Sequence, residues 1–424
     1  MSTDVDVVVA GGGVAGSTAA AALAALGWSV LIVEPGQHPE RRLAGELIHP
    51  AGVAGLGTLG LLGSDFQAAV RLHGFTVFPT ACETGCIDLP YLSGADRPGV
   101  ALSMDHSAIG KALLGATLAH PRVTLAQGWR VGGLHAPDDA PIVTLRRNAV
   151  TETVTCRLVI AADGAASAVR GYAGLHHRRI RNAVLTGYRI PAEALPRPGR
   201  GHVFTACAGP VLAYAISGED ARVLFNRRLD GTVREPHAPP TLDALPPVLR
   251  ETVARAITAQ SGLRFVSSDV RVSGVSRGRV VLVGDAGGSC HPISASGMTM
   301  GITDAVHLGQ VIAGCGGDIA QALTMYGRER RSRQRARVLL AAMLHEVLSG
   351  DATTMGSMRS AMHRYWLGSD RARAASMALL GMDDLRVGTI LREFVHVGLA
   401  GSLSAFARFS LPMMRHVVGT MRVQ

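Results

Sequence analysis

The start of the chain alternates between apolar runs and breaks that carry glycine or polar residues. Residues 5–10 are mostly valine, and such a β-branched run is typical of a parallel strand that is buried on both faces. An alanine- and leucine-rich stretch at 17–26 predicts a helix, and residues 28–33 predict a second strand that ends at Glu34. The chain therefore begins with a predicted strand, helix and strand in the order of a βαβ unit.

Two later apolar runs also predict buried strands, and each of them ends in a polar turn. Residues 157–162 lead into Asp163 and Gly164, after which a helix is expected. Residues 279–283 lead into Gly284 and Asp285, with a further helix expected around 302–308.

The middle of the chain has a different pattern. Segments at 184–190, 201–206, 211–216 and 221–226 alternate between apolar and polar residues, which predicts a sheet. After Tyr326 the pattern changes to that of helices.

A length of 424 residues allows two or three lobes, because a typical domain has about 150 residues. We therefore predict an α/β fold with three parts. They are a discontinuous Rossmann-like nucleotide-binding domain (1–65, 99–175 and 269–325), an inserted, mainly β substrate domain (66–98 and 176–268), and a helical C-terminal region (326–424).

Glycines follow the first predicted strand at once, in the string Gly11-Gly-Gly-Val-Ala-Gly16. Gly11, Gly13 and Gly16 allow a tight turn, the approach of a pyrophosphate to backbone N–H groups, and close packing of helix on strand. Glu34 is spaced to accept hydrogen bonds from a ribose hydroxyl, and its charge would repel the 2′-phosphate of NADP. The residues alone thus leave FAD or NAD as the ligand of this turn.

Composition excludes several other classes of protein. Hydrophobic residues make up 47% and charged residues 17%, so the chain is globular rather than disordered. The net charge of +10 is spread along the chain and only 4% of residues are aromatic, which argues against a nucleic-acid partner. The cysteines lack zinc-ligand spacing, and no apolar run reaches the roughly 18 residues of a membrane span. We expect reduced thiols and a cytoplasmic protein.

The two later strand ends resemble motifs of single-component flavin monooxygenases, the superfamily of p-hydroxybenzoate hydroxylase. The string from Arg157 to Arg170 is similar to its second fingerprint, whose aspartate, here Asp163, lies near FAD and the reduced nicotinamide. The resemblance implies that Asp285 binds the ribityl chain of FAD. It also implies that the helix start after Pro292 and Gly297 faces the flavin ring.

Within that superfamily the chain resembles squalene monooxygenase (squalene epoxidase) through most of its length. Three strings carry the resemblance: Arg42-Leu-Ala-Gly-Glu46-Leu-Ile-His-Pro, Pro210-Val-Leu-Ala-Tyr214-Ala-Ile-Ser, and His291-Pro-Ile-Ser-Ala-Ser-Gly-Met298-Thr. The resemblance places Tyr214 near the substrate and Arg42 beside the pyrophosphate. The positions that it implies for FAD contacts are Val14, Ala15, Glu34, Arg42, Leu47, Asp285 and Met298.

The sequence also departs from this family. The tyrosine of its active-site Tyr–Gln pair is kept as Tyr91, while the glutamine is replaced by His49. A further arginine that contacts FAD in the family is replaced by His106. By the resemblance, Tyr91 and His49 are the candidate catalytic residues, and both would orient the flavin or the bound oxygen species.

The resemblance implies an FAD-dependent monooxygenase that activates O2 as a flavin C4a-hydroperoxide. We expect it to epoxidise an alkene in a lipophilic isoprenoid or prenylated natural product. Hydroxylation of an aromatic polyketide and FAD binding without oxygenation are the alternatives. Electrons would come from NAD(P)H, either directly or through a separate flavin reductase. The tryptophan motif of flavin-dependent halogenases needs two tryptophans two positions apart, whereas Trp28, Trp129 and Trp366 are far apart, so halogenation is not expected.

Two basic segments remain. Residues 328–337 contain many arginines, and such a run is most often a solvated helix face. Near the C-terminus, Arg408, Arg415 and Arg422 are interspersed with apolar residues, as in an amphipathic segment. The C-terminal segment is expected either to make peripheral membrane contact or to pack against the other helices.

Overall fold

The computed structural model describes residues 5–36, 43, 45–94, 99–135, 140–207, 209–229, 241–350 and 352–401. In chain order the strands are β1 (Val5–Ala10), β2 (Val30–Glu34), β3 (Leu47–Ile48), β4 (Val70–Leu72), β5 (Gly74–Phe78), β6 (Ile87–Pro90), β7 (Ala101–Ser103), β8 (Val123–Gln127), β9 (Arg130–His135), β10 (Ile142–Arg147), β11 (Val150–Ala161), β12 (His177–Pro191), β13 (Gly201–Phe204), β14 (Val211–Ala215), β15 (Asp220–Arg228), β16 (Leu263–Val272), β17 (Ser276–Arg277) and β18 (Val280–Leu282). The helices are α1 (Val14–Ala24), α2 (Pro50–Thr58), α3 (His106–Leu118), α4 (Ala168–Tyr172), α5 (Pro247–Thr258), α6 (Gly297–Gly314), α7 (Ile319–Ser349), α8 (Ala352–Gly368), α9 (Asp370–Leu380) and α10 (Val387–Leu399).

The first sheet confirms the predicted α/β fold. Its parallel strands lie in the order β18, β11, β1, β2, β8, and β11 also continues into an antiparallel ribbon with β10 and β9. Val7 and Val9 pack towards α1 and α6, while Val8 packs towards the ribbon. All three are fully buried, because a parallel sheet is covered on both faces.

The register of this sheet brings the three strand ends together. Ala10 at the end of β1 lies opposite Ala161 at the end of β11, and Ala161 lies opposite Leu282 at the end of β18. Because parallel strands end at the same edge, the glycine turn, Asp163 and Asp285 meet there.

A second sheet has seven strands in the order β16, β12, β15, β14, β13, β5, β6. Its pairs are antiparallel except for β13 and β5, which run parallel. The inserted segment 66–98 contributes β5 and β6 to this sheet, whereas β4 pairs with β7 in a small separate sheet with β3. The domain limits given by the sequence stay predictions.

The seven-stranded sheet has two distinct faces, because side chains alternate along a strand. On β15, Val223 and Phe225 belong to the apolar cluster that includes Leu249 and Val253 of α5. We call this side the outer face. The inner face carries Arg222, Leu224, Asn226 and Arg228 of the same strand.

Helix α7 connects the two sheets. Its 31 residues span about 46 Å at 1.5 Å per residue. Near its start the Tyr326 hydroxyl donates to the Leu282 carbonyl at 3.0 Å, and near its end Met343 and Val347 pack over the inner face. Helices α8, α9 and α10 complete this cover, so the inner face lies under a helical layer.

The interpretation of residues 328–337 as a solvated helix face is wrong for half of the run. Arg328, Arg331 and Arg335 are exposed, but Arg330 and Arg337 are buried together with Gln334. The buried side of α7 faces the turn after β18, whose carbonyl groups bind Arg330. The basic run thus places some arginines on the surface and others in the interior, where Arg330 binds the turn after β18.

In the described part of the chain, no helix combines the length and the apolar composition needed to cross a bilayer. The C-terminal segment with Arg408, Arg415 and Arg422 lies outside the described residues, and its membrane contact stays a prediction.

Candidate active site

The glycine turn between β1 and α1 is shaped for close backbone contact. A Cβ atom on Gly16 would lie 1.9 Å from the Gly11 carbonyl oxygen, so no larger residue fits there. Gly13, the N-cap of α1, has open space where its Cβ would be. The first turn of α1, with Val14 and Ala15, has neither an acidic residue nor a side-chain cap. Its N–H groups at the positive helix end therefore remain accessible to an anion.

Glu34 closes the other side of this turn. Its carboxylate accepts hydrogen bonds from Gly12 N at 2.7 Å and from Gly36 N at 3.2 Å, and the side chain is buried. An ionised carboxylate has about four acceptor positions, so two remain for a ribose hydroxyl.

Asp163 lies at the end of the neighbouring strand β11. Its Oδ2 atom accepts from Ala168 N at 2.8 Å and from Val169 N at 3.2 Å, which fixes the carboxylate at the start of α4. Its Oδ1 atom is buried and has no hydrogen-bond partner among the described residues. One carboxylate oxygen thus caps the start of α4, and the other is positioned to accept a hydrogen bond from a ligand.

Buried charges hold the turn that carries Asp285. Arg330 donates to the carbonyls of Gly284 (2.9 Å) and Gly287 (2.5 Å) and pairs with Asp304 at 2.7 Å. Asp304 in turn accepts from Gly284 N at 3.2 Å. From the other side, the fully buried Arg170 donates to the Ala286 carbonyl at 2.8 Å. The turn is therefore fixed by side chains of three helices, α4, α6 and α7, while Asp285 itself is exposed.

The start of α6 forms the third part of the site. Pro292 begins a 3-10 turn at Pro292–Ser294, and Gly297 is the first residue of α6. No side chain caps this helix, and a Cβ on Gly297 would meet open space. Met298 is buried against Gly45, whose Cβ would lie 3.4 Å from the methionine Cγ. A second accessible helix N-terminus therefore faces the region between the sheets.

The structure brings His49 and Tyr91 together in a hydrogen-bonded pair. His49 Nε2 lies 2.8 Å from the Ser294 carbonyl oxygen, which only accepts, so this nitrogen carries the proton. Nδ1 is then an acceptor, and the Tyr91 hydroxyl donates to it at 2.6 Å. Burial lowers the pKa of His49 to about 4 and raises the pKa of Tyr91 well above its usual value. Both side chains are neutral at pH 7.

This arrangement explains how histidine can stand where the squalene monooxygenase family has glutamine. A neutral imidazole in this tautomer has one donor and one acceptor, as does the amide of glutamine. His49 donates to Ser294 and accepts from Tyr91, so the pattern survives the replacement.

A second buried polar cluster lies between the inner face of the seven-stranded sheet and Glu46, the residue just before β3. Arg222 on the inner face pairs with Glu46 through Nη2 at 2.6 Å and Nε at 3.0 Å, and both side chains are nearly inaccessible. The Tyr214 hydroxyl lies 3.5 Å from the second oxygen of Glu46, and burial raises the pKa of this tyrosine. Tyr214 thus lies beside the Arg222–Glu46 pair, and its contact with the substrate stays a prediction.

The remaining predicted residues occupy the same region. The His106 side chain lies at the start of α3 with Nδ1 2.7 Å from the Gly45 carbonyl oxygen. Leu47 is buried in the apolar cluster that also contains Tyr91. Arg42 lies outside the described residues, so its predicted contact with the pyrophosphate stays a prediction.

These features fit FAD as a ligand. The open N-termini of α1 and α6 would hold the pyrophosphate and the edge of the flavin ring, respectively. The unpartnered oxygen of Asp163 and the exposed carboxylate of Asp285 lie at the intervening strand ends, where hydroxyl groups of the ligand would donate. The described residues contain no group of three or more side chains suited to hold a metal ion.

The fold and this site define a flavoprotein built on a dinucleotide-binding sheet. The chain belongs to the FAD binding domain family, which matches residues 4–341. Mouse (Mus musculus) squalene monooxygenase is 26% identical over 421 residues, which cover 95% of this chain and 72% of the mouse protein. 6-Methylpretetramide 4-monooxygenase from Streptomyces rimosus is 28% identical over 317 residues, or 71% of this chain and 73% of that protein.

Solved structures share the fold. p-Nitrophenol 4-monooxygenase from Pseudomonas putida superposes with a TM-score of 0.69 at 20% identity, covering 95% of this chain and 99% of that chain. Anhydrotetracycline hydroxylase from Streptomyces rimosus gives 0.68 at 22% identity, covering 91% and 77%. The chain is an FAD-dependent monooxygenase of this flavoprotein superfamily, a class that typically uses NAD(P)H and O2.

We expect Gly16→Ala to abolish FAD binding. The new Cβ would overlap the Gly11 carbonyl oxygen, so the turn must open and its N–H groups lose their alignment. Flavin absorbance of the purified protein, before and after addition of FAD, measures the effect. Gly115→Ala on α3 is the matched control, because its Cβ meets open space. Normal FAD content in Gly16→Ala would contradict the assignment of the turn.

We expect acid to destabilise the protein partly through His49. Because its folded pKa is about 4, against an ordinary 6.5, the unfolded state binds more protons between these values. Stability therefore falls as the pH drops through this window, by about 2 kcal/mol at pH 5. His49→Gln keeps the hydrogen-bond pattern but cannot titrate. The free energy of unfolding of the variant should thus fall less between pH 7 and pH 5. An equal fall in both proteins would refute this origin.

Proposed function

We propose that the protein inserts one oxygen atom into a lipophilic natural product, and that the reaction is epoxidation of an alkene in an isoprenoid or prenylated compound. The observation that carries the proposal is the position of the neutral His49–Tyr91 pair. Tyr91 belongs to the large apolar cluster under the helical layer, and His49 is bonded to the segment just before α6. The pair thus lies where a greasy substrate and the flavin ring would meet.

The substrate would lie between the inner face and the helical layer, among apolar side chains that suit it. Phe75 and Val77 of β5 line the inner face, and Met343 of α7 lies among the helices that cover it. Further methionines of this cluster are Met355, Met358, Met362 and Met377. Methionine side chains are flexible and polarisable, so they adapt to ligands of irregular shape. Apolar walls with few polar groups are typical of small-molecule sites.

Bound FAD would supply the activation of O2 after reduction by NAD(P)H, whether directly or through a separate reductase. The chain's own residues would position the flavin ring and the substrate and shield them from water. The N-terminus of α6 offers N–H groups for negative charge on the ring. The apolar cluster excludes water, which would otherwise divert the oxidant.

Tyr91 and His49 would act as positioning donors and acceptors at this border. The Tyr91 proton is held between Oη and His49 Nδ1, and its raised pKa keeps the hydroxyl protonated. The oxygen of Tyr91 therefore retains a lone pair with which it can accept a hydrogen bond. The bond from His49 to Ser294 fixes the ring, so the pair stays aligned when substrate enters.

Hydroxylation of an aromatic polyketide is the second candidate. It is supported by the likeness to 6-methylpretetramide 4-monooxygenase over 71% of this chain. The same site would serve both reactions, because the outcome depends on whether an alkene or an electron-rich ring lies beside the flavin.

Replacement of the pair tests this proposal. We expect Tyr91→Phe to lower the product formed per NAD(P)H oxidised on the order of tenfold, which corresponds to about 1.4 kcal/mol. His49→Phe should behave similarly, whereas His49→Gln should retain most coupling because it keeps one donor and one acceptor. Tyr188→Phe, in the cluster of the outer face, is the matched control. Unchanged coupling in both Tyr91→Phe and His49→Phe would remove the pair from the mechanism.

A further inference from the structure

Asn226 is a buried amide with no hydrogen-bond partner for its side chain. It lies on β15, its exposed fraction is 9%, and neither Oδ1 nor Nδ2 has a hydrogen-bond partner among the described residues. Leaving a buried polar group unpaired is unfavourable, because its hydrogen bonds to water are lost and not replaced. Native proteins therefore rarely keep such a side chain unless something else satisfies it.

The side chain lies on the inner face of the sheet, which the helical layer covers. Arg222, Leu224, Asn226 and Arg228 share this face because side chains alternate along β15. Leu224 packs against the large apolar cluster, and Arg228 pairs with Glu346 of α7 at 2.8 Å. Asn226 lies between these two contacts.

The surrounding strands offer it no partner. Leu185 is its cross-strand neighbour on β12, and Pro210 lies beside it at the start of β14. Neither side chain can donate or accept a hydrogen bond. The backbone N–H of Asn226 donates to the Pro210 carbonyl at 3.3 Å, so the strand is fixed while the amide is not used.

The Asn226 amide is well separated along β15 from the Arg222–Glu46 pair. Arg222, which binds Glu46, lies four positions earlier on β15, or about 13 Å at 3.3 Å per residue. A ligand lying along β15 would thus reach from the Arg222–Glu46 pair to Asn226.

We propose that Asn226 determines specificity by hydrogen-bonding an oxygen-bearing polar group of the substrate. The amide both donates and accepts, so it suits a hydroxyl or a carbonyl. The preferred substrate is then an oxygenated lipophile rather than a pure hydrocarbon such as squalene, with its polar group about 13 Å from the Arg222–Glu46 pair. This inference rests on the proposed function, since it uses the same substrate space.

The test compares probes that differ only in the polar group. Geranylgeraniol is paired with its hydrocarbon counterpart, and 2-naphthol with 2-methylnaphthalene. Binding to the FAD-loaded protein is followed by the change in flavin absorbance without reductant, so no turnover is needed. We expect at least one hydroxylated probe to bind about tenfold more tightly than its partner, as a gain of about 1.4 kcal/mol gives.

Asn226→Leu should abolish this preference by weakening the hydroxylated probe alone, whereas Leu224→Met should keep it. The melting temperature of Asn226→Leu should be equal to that of the wild type or higher, because an unpaired polar group has been removed. A lowered melting temperature would indicate a structural role instead. Equal affinities within both pairs in the wild type, including no binding of any probe, would overturn the inference.

The outcome is distinguishable from failure of the proposed reaction. If the preference is seen but no probe is oxygenated on reduction in air, the reaction is wrong and the role of Asn226 stands. If hydroxylated and hydrocarbon probes are oxygenated equally well by wild type and Asn226→Leu, the reaction stands and the role of Asn226 is wrong.

Discussion

Arg330→Met is expected to lower the free energy of unfolding by about 3–5 kcal/mol and to release FAD. The guanidinium is fully buried and pairs with the fully buried Asp304. Its loss leaves the buried Asp304 carboxylate with a longer ion pair, to Arg333 at 3.9 Å. It also removes the donor to the Gly284 and Gly287 carbonyls. Urea unfolding of the FAD-free protein and flavin absorbance of the purified protein measure the two effects separately.

Two further variants serve as a control and as a partial rescue for this prediction. Arg328→Met on the exposed side of α7 should change stability by less than about 1 kcal/mol. The double variant Asp304→Asn with Arg330→Met should recover part of the lost stability, because no unpaired charge is then buried. If Arg330→Met were as stable as Arg328→Met, the turn would not depend on this ion pair.

Arg222→Met is expected to destabilise the protein to a similar degree, by about 3–5 kcal/mol. It would leave Glu46 buried and unpaired at the contact between the nucleotide-binding domain and the inner face. Because this pair joins segments 176 positions apart, the relative placement of the domains should also suffer. Chemical unfolding reports the first effect, and product formed per NAD(P)H oxidised reports the second.

The same strand provides the control. Arg228 pairs with Glu346, but both side chains are more than a third exposed, so Arg228→Met should cost less than about 1 kcal/mol. An equal loss of stability in Arg222→Met and Arg228→Met would mean that burial of the Glu46 pair is not what matters.

Site residues were predictable from the sequence where both the local pattern and the order of the strands determine their position. Gly11, Gly16 and Glu34 follow from the order of strand, turn and strand, and the carboxyl ends of parallel strands necessarily share one edge. Asp163 and Asp285 were assigned to FAD by the resemblance, and the parallel register of β1, β11 and β18 brings their strand ends to the edge that carries the glycine turn. The resemblance to squalene monooxygenase added Tyr91 and His49, which the structure places 2.6 Å apart.

Partners that are distant in the chain were not predictable. The bond between Arg222 and Glu46 depends on the docking of one domain on the other, which no spacing encodes. Arg330 was hidden in a basic run whose composition suggests a solvated surface. Arg330 nevertheless lies four and seven positions before the buried Gln334 and Arg337, and this spacing follows a helical period. No sequence pattern indicated that Asn226 is buried, because an amide on an alternating strand is also compatible with an exposed face.

The central claim, that the flavoprotein oxygenates a lipophilic substrate, is tested most directly with labelled oxygen. The FAD-loaded protein would be supplied with NAD(P)H, with and without a flavin reductase, under ¹⁸O2 and with lipophilic alkenes and phenols. Mass spectrometry should find a product that carries one ¹⁸O atom, in an amount that does not exceed the NAD(P)H oxidised. Oxygenated product without the label, or hydrogen peroxide as the sole product with every substrate, would contradict the account.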